Sequence, residues 1–113
     1  MFEVRLDAEF HARHRLRLAD GGYEAEHEHC WPVQVVVCGP KTDGMGLLMD
    51  FHWLRQLISQ VIDPLDGINL NEHAELGPAS PSAEHVARYI AEKLRPRLPL
   101  HVMLKRVSVG ECS

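Results

Sequence analysis

A strict two-residue alternation near the start of the chain is the feature that most limits how it can fold. Residues 2–10 are FEVRLDAEF, with apolar side chains at even positions and charged ones at odd positions. This period of two is typical of a β-strand that buries one face. A second alternating run, VQVVVCG at residues 33–39, follows the turn-forming segment ADGGYE. Two strands joined by a loop favour an antiparallel pair.

Two amphipathic helices are predicted after these strands. The first follows Asp50, a good N-cap, has apolar residues at helical spacing, and stops at Pro64. The second has Ser80 as its N-cap and Pro81 in its first turn, and it is broken by the prolines of RPRLP. The segment between them, residues 66–80, is predicted to be a loop.

A last strand, predicted within residues 100–111, completes the order β-β-α-α-β. This order predicts an α+β fold in which an antiparallel sheet carries both helices on one face. The chain length suits a single domain, residues 1–113. The other face of the sheet would need cover, and a second copy of the chain is the simplest cover, so we expect an oligomer.

Charge and cysteine content limit the partners. The formal net charge is −4 and there is no Lys/Arg block, which argues against a nucleic-acid partner because phosphate binding needs a basic face. No apolar run approaches the roughly 20 residues that span a membrane, and the N-terminus lacks an apolar signal-peptide core. Three cysteines without framework spacing fit a reducing compartment. We therefore expect a cytoplasmic protein with no membrane partner.

Histidine is the unusual component of the sequence. Eight are present, and histidine is the commonest metal ligand in proteins. On an extended chain His27 and His29 project from the same face, and His14, at the end of the first strand, lies across the hairpin from them. Three imidazole nitrogens with an open fourth position are typical of catalytic zinc, and nitrogen ligands favour zinc over magnesium. From spacing alone, solvated histidines at a strand end remain the alternative.

Several short segments, in order along the whole chain, resemble motifs of the 6-pyruvoyltetrahydropterin synthase family, which includes the 6-carboxytetrahydropterin synthases. FHARHRL at residues 10–16 resembles F-x-A-x-H-R-L, and HEH at 27–29 resembles H-G-H. LDGINLN at 65–71 resembles L-D-H-x-x-L-N, and PSAEHVA at 81–87 resembles P-T-x-E-x-L-A. VSVGE at 107–111 resembles the family's strand that ends in a glutamate.

The resemblance implies the tunnelling fold and a zinc ion held by His14, His27 and His29. In that family zinc polarises side-chain oxygens of a 7,8-dihydropterin such as dihydroneopterin triphosphate, which is a Lewis-acid role. The glutamate that binds the pterin ring corresponds to Glu111. Sheets from several subunits join into a barrel in the family, with active sites between chains, which implies a homo-trimer or homo-hexamer.

The sequence departs from the family at the residues that transfer protons. The family uses a cysteine shortly before its H-G-H motif as the general base, and no cysteine precedes His27 here. Tyr23 and Glu24 are the nearest substitutes. The family's catalytic aspartate corresponds to Asp66, but the histidine that follows it in the family is replaced by Gly67.

These departures leave three interpretations open. Some family members use a glutamate near this position and release 6-hydroxymethyl-dihydropterin, and Glu24 or Glu26 would permit a lyase of that kind. A divergent member could instead keep zinc and pterin binding without the reaction. The third interpretation is a zinc-containing structural or ligand-binding module. The family also continues into a fourth strand, so either the sheet lacks an edge strand or the chain is truncated after Ser113.

Overall fold

The computed structural model describes residues 1–112 and contains a three-stranded antiparallel sheet packed against helices. The strands are β1 (Phe2–His14), β2 (His27–Gly39) and β3 (Met103–Val109), with β2 in the middle. The α-helices are α1 (Phe51–Ile62), α2 (Leu76–Ala79) and α3 (Ala83–Leu94), and 3₁₀ turns cover Asp63–Leu65, Leu70–Glu72 and Arg95–Arg97. The predicted α+β class with an antiparallel sheet is confirmed. None of the helices in residues 1–112 is long and apolar enough to cross a membrane.

The hairpin of β1 and β2 is longer than the alternating runs indicate. The two strands are paired from Phe2 opposite Gly39 to His14 opposite His27. Pairing continues beyond the apolar runs because residues 9–14 find backbone partners in residues 27–32. This extension brings the three histidines of the predicted metal site into the sheet.

Alternation decides which side chains of the sheet face the helices. The buried apolar residues of the first two strands include Leu6, Phe10, Trp31, Val33, Val35 and Val37. Residues of α1 and α3 pack against them, among them Leu54, Ile58, Val61, Val86, Ile90 and Leu94. Full burial of one such side chain contributes roughly 1.5–3 kcal/mol, so this layer is what holds the helices on the sheet. Charged residues of β1, such as Glu3, Arg5 and Asp7, are exposed.

The structure confirms the predicted start of α1 and corrects that of α3. Asp50 caps α1, because its carboxylate accepts a hydrogen bond from the His52 N–H at 2.8 Å. Ser80 does not cap α3, because it ends α2 as its C-cap residue, with a φ of +70°, and α3 begins only at Ala83. Ser82 is the N-cap and accepts a hydrogen bond from the His85 N–H at 3.2 Å. Pro81 therefore precedes the cap rather than opening the helix.

The predicted loop at residues 66–80 is also wrong in part, since it contains ordered turns. The Asn69 side chain accepts a hydrogen bond from the Asn71 N–H at 3.0 Å and starts the turn Leu70–Glu72. Leu70 and Leu76 are buried and anchor this segment to the core. Two isolated leucines carry no periodicity, so the sequence pattern could not reveal that tertiary anchoring.

Candidate metal centre and its surroundings

The three histidines predicted to bind metal converge at the loop end of the β1–β2 hairpin. His14 is directly opposite His27, and His29 is two residues further along β2 on the same face. Their ring centroids are 4.7 Å apart for His14 and His27, 5.3 Å for His14 and His29, and 4.3 Å for His27 and His29. One nitrogen from each ring lies within 4.8 Å of the others. The three residues are therefore placed so that they could hold one metal ion.

The hydrogen bonds of His14 determine which of its nitrogens faces this site. The Nδ1 atom lies 2.8 Å from the carbonyl oxygen of Pro81. A carbonyl oxygen only accepts, so Nδ1 carries the proton and Nε2 has a free lone pair. His14 is 1% exposed, and its Nε2 has no hydrogen-bond partner among residues 1–112. Metal-binding histidines commonly donate their other ring N–H to a carbonyl in this way.

Unpartnered nitrogens of the other two histidines fit a metal ion as well. Nδ1 of His27 and both ring nitrogens of His29 are buried, and the part of the chain that the structure describes offers them no hydrogen-bond partner. Buried polar atoms in native proteins nearly always have a partner, because leaving one unpaired costs roughly 1–3 kcal/mol. One nitrogen from each of the three rings lies within 4.8 Å of the others, and three such nitrogens match the ligand set of a zinc-like divalent ion.

Trp31 supports the histidines from the core side. Its ring stacks on Phe10, its partner across the hairpin, with centroids 5.8 Å apart. Its Nε1 donates a hydrogen bond to the Ala12 carbonyl oxygen at 3.2 Å. Its ring meets those of His14 and His29 edge to face. The site is thus built on two paired strands and a buried aromatic, which limits the movement of the imidazoles.

Glu24 lies beside the histidines, as expected for a substitute of the missing cysteine. Its Oε1 accepts hydrogen bonds from the Leu16 N–H at 2.9 Å and from His27 Nε2 at 3.1 Å. The Glu24 backbone N–H also donates to the Leu16 carbonyl oxygen at 3.0 Å, so two hydrogen bonds join Glu24 to Leu16. No hydrogen bond among residues 1–112 reaches Oε2, which leaves that oxygen available for chemistry. Glu26 instead accepts a hydrogen bond from Asn69.

Glu111 is a second carboxylate at the histidines. The chain continues the β3 pairing beyond Val109, which places Glu111 opposite Trp31. Trp31 and His29 are two residues apart on β2 and share one face, so the Glu111 side chain lies on that face as well. Its Oε1 is 3.4 Å from His14 Nε2, and its Oε2 is 3.6 Å from His29 Nε2. A carboxylate oxygen only accepts hydrogen bonds, so a proton or a metal ion between it and the imidazole nitrogen would make this contact favourable. This contact was not part of the role predicted for Glu111.

Tyr23 and Asp66, the other two predicted catalytic residues, have their contacts elsewhere. Tyr23 is half-exposed, and the Arg15 guanidinium lies 4.4 Å from its ring centroid. Asp66 is exposed at the outer edge of β1, where its Oδ1 accepts the His11 N–H at 2.8 Å. Within residues 1–112 no hydrogen bond or ion pair joins either residue to the three histidines. The structure does not bring them to the centre within one chain.

A small basic cavity lies behind the centre. Its volume is about 90 Å³, and it is lined by Arg15, Arg17, Tyr23, Asn71, Gly77, Pro78 and Ser80. Three of these residues are chain neighbours of residues that frame the histidines: Arg15 follows His14, Tyr23 precedes Glu24, and Ser80 precedes Pro81. The cavity is too small for a ring ligand, since such pockets start at about 300 Å³.

Cys30 faces away from the histidines, as alternation predicts. Its thiol donates a hydrogen bond to Glu9 on the charged face of the sheet at 3.1 Å. The pKa of the Cys30 thiol is raised to about 12. The hydrogen bond to Glu9 is the largest cause, and the neighbouring Cys112 side chain is the second. Cys30 is therefore a protonated thiol at neutral pH and is not a candidate base for the centre.

The chain is thus an α+β protein with three histidines on an antiparallel hairpin, flanked by the carboxylates of Glu24 and Glu111, that could hold a metal ion. Residues 3–113 match the family model described as 6-pyruvoyl tetrahydropterin synthase. The chain is 35% identical over 104 residues to a dihydroneopterin monophosphate aldolase of Pyrococcus furiosus, a match that covers 92% of this chain and 84% of the relative. The chain belongs to the 6-pyruvoyl tetrahydropterin synthase family.

Solved structures agree on the fold. The 6-pyruvoyl tetrahydropterin synthase of Caenorhabditis elegans is similar with a TM-score of 0.74 and 20% identity, covering 99% of this chain and 96% of that one. The Plasmodium vivax 6-pyruvoyltetrahydropterin synthase, in a variant whose catalytic glutamate is replaced by alanine, gives a TM-score of 0.70 and 15% identity over 98% of both chains. Both similarities cover nearly the whole chain, so the expected tunnelling fold is confirmed.

Proposed function

We propose that this protein is a zinc-dependent lyase that cleaves the side chain of a phosphorylated 7,8-dihydroneopterin, with Glu24 as the general base. The position of Glu24 carries the proposal: it is fixed beside His27 at the place where the family's usual cysteine is missing. The aldolase relative from Pyrococcus furiosus supports the same reaction class. The catalytic glutamate of the Plasmodium vivax enzyme supports a carboxylate as the base.

Zinc is the proposed ion because the available ligands are neutral imidazoles. Zinc binds nitrogen donors in tetrahedral sites and leaves one position for substrate when the protein supplies three ligands. Magnesium and calcium prefer oxygen ligands. When bound, the ion would supply Lewis-acid polarisation of the substrate's hydroxyl oxygens. Glu24 and Glu111 carry two negative charges, which balance the charge of a divalent ion.

The proposed reaction is a retro-aldol cleavage, and proton transfer is the part that the protein performs. The Glu24 carboxylate takes the proton of the 2′-hydroxyl, and the C1′–C2′ bond breaks as that oxygen becomes an aldehyde. The bond's electron pair enters the C6=N5 imine of the dihydropterin, and C1′ then gains a proton. The products are 6-hydroxymethyl-7,8-dihydropterin and glycolaldehyde phosphate, with all atoms accounted for. A well-placed general base contributes roughly 10²- to 10⁴-fold to the rate.

Glu111 is proposed to bind the amino and N–H groups of the pterin ring, as the family resemblance implies. A carboxylate can accept two parallel hydrogen bonds from such a donor pair. These ring donors and the C6 side chain lie at opposite ends of the pterin. One molecule can reach both Glu111 and the histidines only if the Glu111 carboxylate turns away from His14 and His29. We infer that Glu111 has two positions, one against the histidines and one on the ring.

A phosphate group suits the basic cavity behind the centre. Its volume of about 90 Å³ fits one phosphate and little more. The Tyr23 ring holds the Arg15 guanidinium in place, and Arg17 adds a second positive charge to the lining. Arginine is the side chain best matched to phosphate oxygens, because its donors form a planar fork. This assigns Tyr23 a supporting role in substrate binding rather than the catalytic role considered from the sequence.

The active assembly is proposed to be a homo-trimer or homo-hexamer. The radius of gyration of the chain is 15.7 Å. A compact domain of this length would have a radius of gyration of about 13 Å, so the single chain is extended. Both β1 and β3 are edge strands, whose free backbone groups favour pairing with another chain. A neighbouring copy would also be the source of Asp66 for the centre. Light scattering that gives a monomer at micromolar concentration would refute this.

The proposed function is tested by incubating the purified protein with dihydroneopterin monophosphate, dihydroneopterin triphosphate and unphosphorylated dihydroneopterin, followed by mass analysis. We expect 6-hydroxymethyl-7,8-dihydropterin from a phosphorylated substrate at a much higher rate than from the unphosphorylated one. Binding of the substrates without any product would favour the alternative, a zinc- and pterin-binding protein that has lost the family reaction. A product that retains the whole three-carbon side chain would overturn the aldolase assignment.

A further inference from the structure

Cys30 and Cys112 face each other across the sheet. They are partners in an antiparallel bridge beyond the end of β3. The Cys112 N–H donates to the Cys30 carbonyl oxygen at 2.9 Å, and the Cys112 thiol is 3.5 Å from the same oxygen. Hydrogen-bonded antiparallel partners have Cα atoms about 5.5 Å apart, and both side chains lie on one face. The two thiols are thus immediate neighbours, even though 82 positions separate them in the chain.

This arrangement meets the geometric requirements of a disulfide. Cystine bridges need Cα atoms roughly 4.4–6.8 Å apart, and the separation of about 5.5 Å that is general for such strand partners falls inside that range. Both thiols are free in the structure, and Cys112 is exposed to solvent. The third cysteine, Cys38, is buried near the other end of β2, opposite Met103. It is far from the pair along the strand and serves as an internal control.

The bridge would bear directly on the metal centre, because each cysteine adjoins a residue of that centre. Cys30 follows His29, and Cys112 follows Glu111. Beyond β3 the terminal segment is joined to β2 by two backbone hydrogen bonds, from the Gly110 N–H to the Pro32 carbonyl oxygen and from the Cys112 N–H to the Cys30 carbonyl oxygen. A covalent bond at Cys112 would fix the backbone that carries Glu111.

We propose that Cys30 and Cys112 form a thiol–disulfide modification site that locks the Glu111 segment against β2. The oxidant is a small disulfide such as oxidised glutathione. Cys112, the solvent-exposed thiol of the pair, attacks it, forming a mixed disulfide and releasing one reduced thiol molecule. The second cysteine then attacks the mixed disulfide and releases the other thiol molecule. Two protein thiols become one disulfide, the oxidant is reduced, and the two protons end on the released thiols.

The first test is mass spectrometry of the whole protein equilibrated with excess oxidised glutathione. We expect a product that has lost the mass of two hydrogen atoms, with a Cys30–Cys112 cross-link in the peptide map. The Cys38→Ser variant should form the same product, and the Cys112→Ser variant should not. If the wild-type protein gives only mixed disulfides or bonds between chains, the site is refuted.

The second test measures the lock itself by hydrogen exchange of the Gly110 and Cys112 amides. We expect exchange to slow several-fold in the oxidised protein and to stay unchanged in oxidised Cys112→Ser. Unchanged exchange in a protein that does carry the cross-link would refute the lock. Neither measurement depends on turnover, so both stand if the proposed lyase activity fails.

The effect on catalysis rests on the proposed function. If Glu111 must turn from the histidines to the pterin ring, oxidation should lower turnover in the wild-type protein and leave Cys112→Ser unaffected. Equal turnover of the reduced and cross-linked proteins would show that the lock does not restrict Glu111.

Discussion

The buried imidazole of His14 donates its Nδ1–H to the carbonyl oxygen of Pro81 at 2.8 Å, across 67 positions of the chain. This bond fixes the tautomer, so that the Nε2 lone pair faces His27, His29 and Glu111. It also explains why α3 begins only at Ala83. A helix that started at Pro81 would direct that carbonyl along its own axis, away from the imidazole.

Metal binding is the first prediction from this geometry. The protein purified without added metal should contain about one zinc ion per chain, and His27→Ala should lose it. Removing one of three ligands should weaken binding by more than the ~10–100-fold seen when only a supporting residue is lost. Elemental analysis gives the metal content. The matched control is His11→Ala, an exposed residue of β1 that should retain the ion. Full zinc in His27→Ala would contradict the assignment.

A substitution at Glu24 distinguishes the loss of proton transfer from the loss of metal binding. Glu24→Gln keeps a side chain of the same size and can still accept hydrogen bonds through its amide oxygen, but it cannot take a proton. We expect turnover to fall roughly 10²- to 10⁴-fold with the metal content unchanged. Glu26→Gln, two residues along and bonded to Asn69, should remain close to wild type. If Glu24→Gln instead loses the metal, Glu24 serves to orient His27 and the base is another residue.

Glu111 should matter for affinity more than for metal content. Glu111→Gln replaces one acceptor oxygen with a donor, which leaves a ring N–H of the pterin without a partner. The expected cost is roughly 1–3 kcal/mol, which is about a 5- to 150-fold rise in Kd. Calorimetric titration with a dihydropterin measures it, and elemental analysis of the same sample checks the ion. An unchanged Kd would remove Glu111 from the ring site.

The corrected helix start gives a stability prediction with an internal control. Ser82→Ala removes the N-cap of α3 and should lower the free energy of unfolding by about 1 kcal/mol. Ser80→Ala, two residues earlier, keeps the hydrogen bond that the His85 imidazole donates to the Ser80 carbonyl oxygen, and it should change the free energy of unfolding much less. Denaturant unfolding of both variants decides this. Equal losses, or a larger loss for Ser80→Ala, would contradict the observed cap.

Most of the sheet and the histidine centre could be predicted because both follow from the alternation of side chains between the two faces of a strand. The alternation of residues 2–10 gave the buried face of β1, and the same rule put His27 and His29 on one face. The pairing of His14 with His27 completes the centre, and it depends only on the hairpin register.

The rest depends on contacts between segments distant in sequence. Ser80 and Ser82 are both acceptable caps, and the bond from His14 to the Pro81 carbonyl favours the second. The closeness of Glu111 to the histidines and of Cys112 to Cys30 depends on how β3 continues along β2, which no local pattern reports. Asp66 is fixed to the edge of β1 by a backbone N–H, so its distance from the centre in one chain could not be read from the motif around it.

The most direct test of the central claim is mass analysis of the products of dihydroneopterin monophosphate in heavy water, for wild type and Glu24→Gln. Cleavage of the C1′–C2′ bond requires that C1′ gain one solvent-derived hydrogen. The wild-type protein should therefore yield equal amounts of glycolaldehyde phosphate and of 6-hydroxymethyl-7,8-dihydropterin carrying one deuteron on carbon, and Glu24→Gln should yield neither at a comparable rate. Unchanged substrate with the wild-type protein, or a product that keeps its three-carbon side chain, would contradict the account.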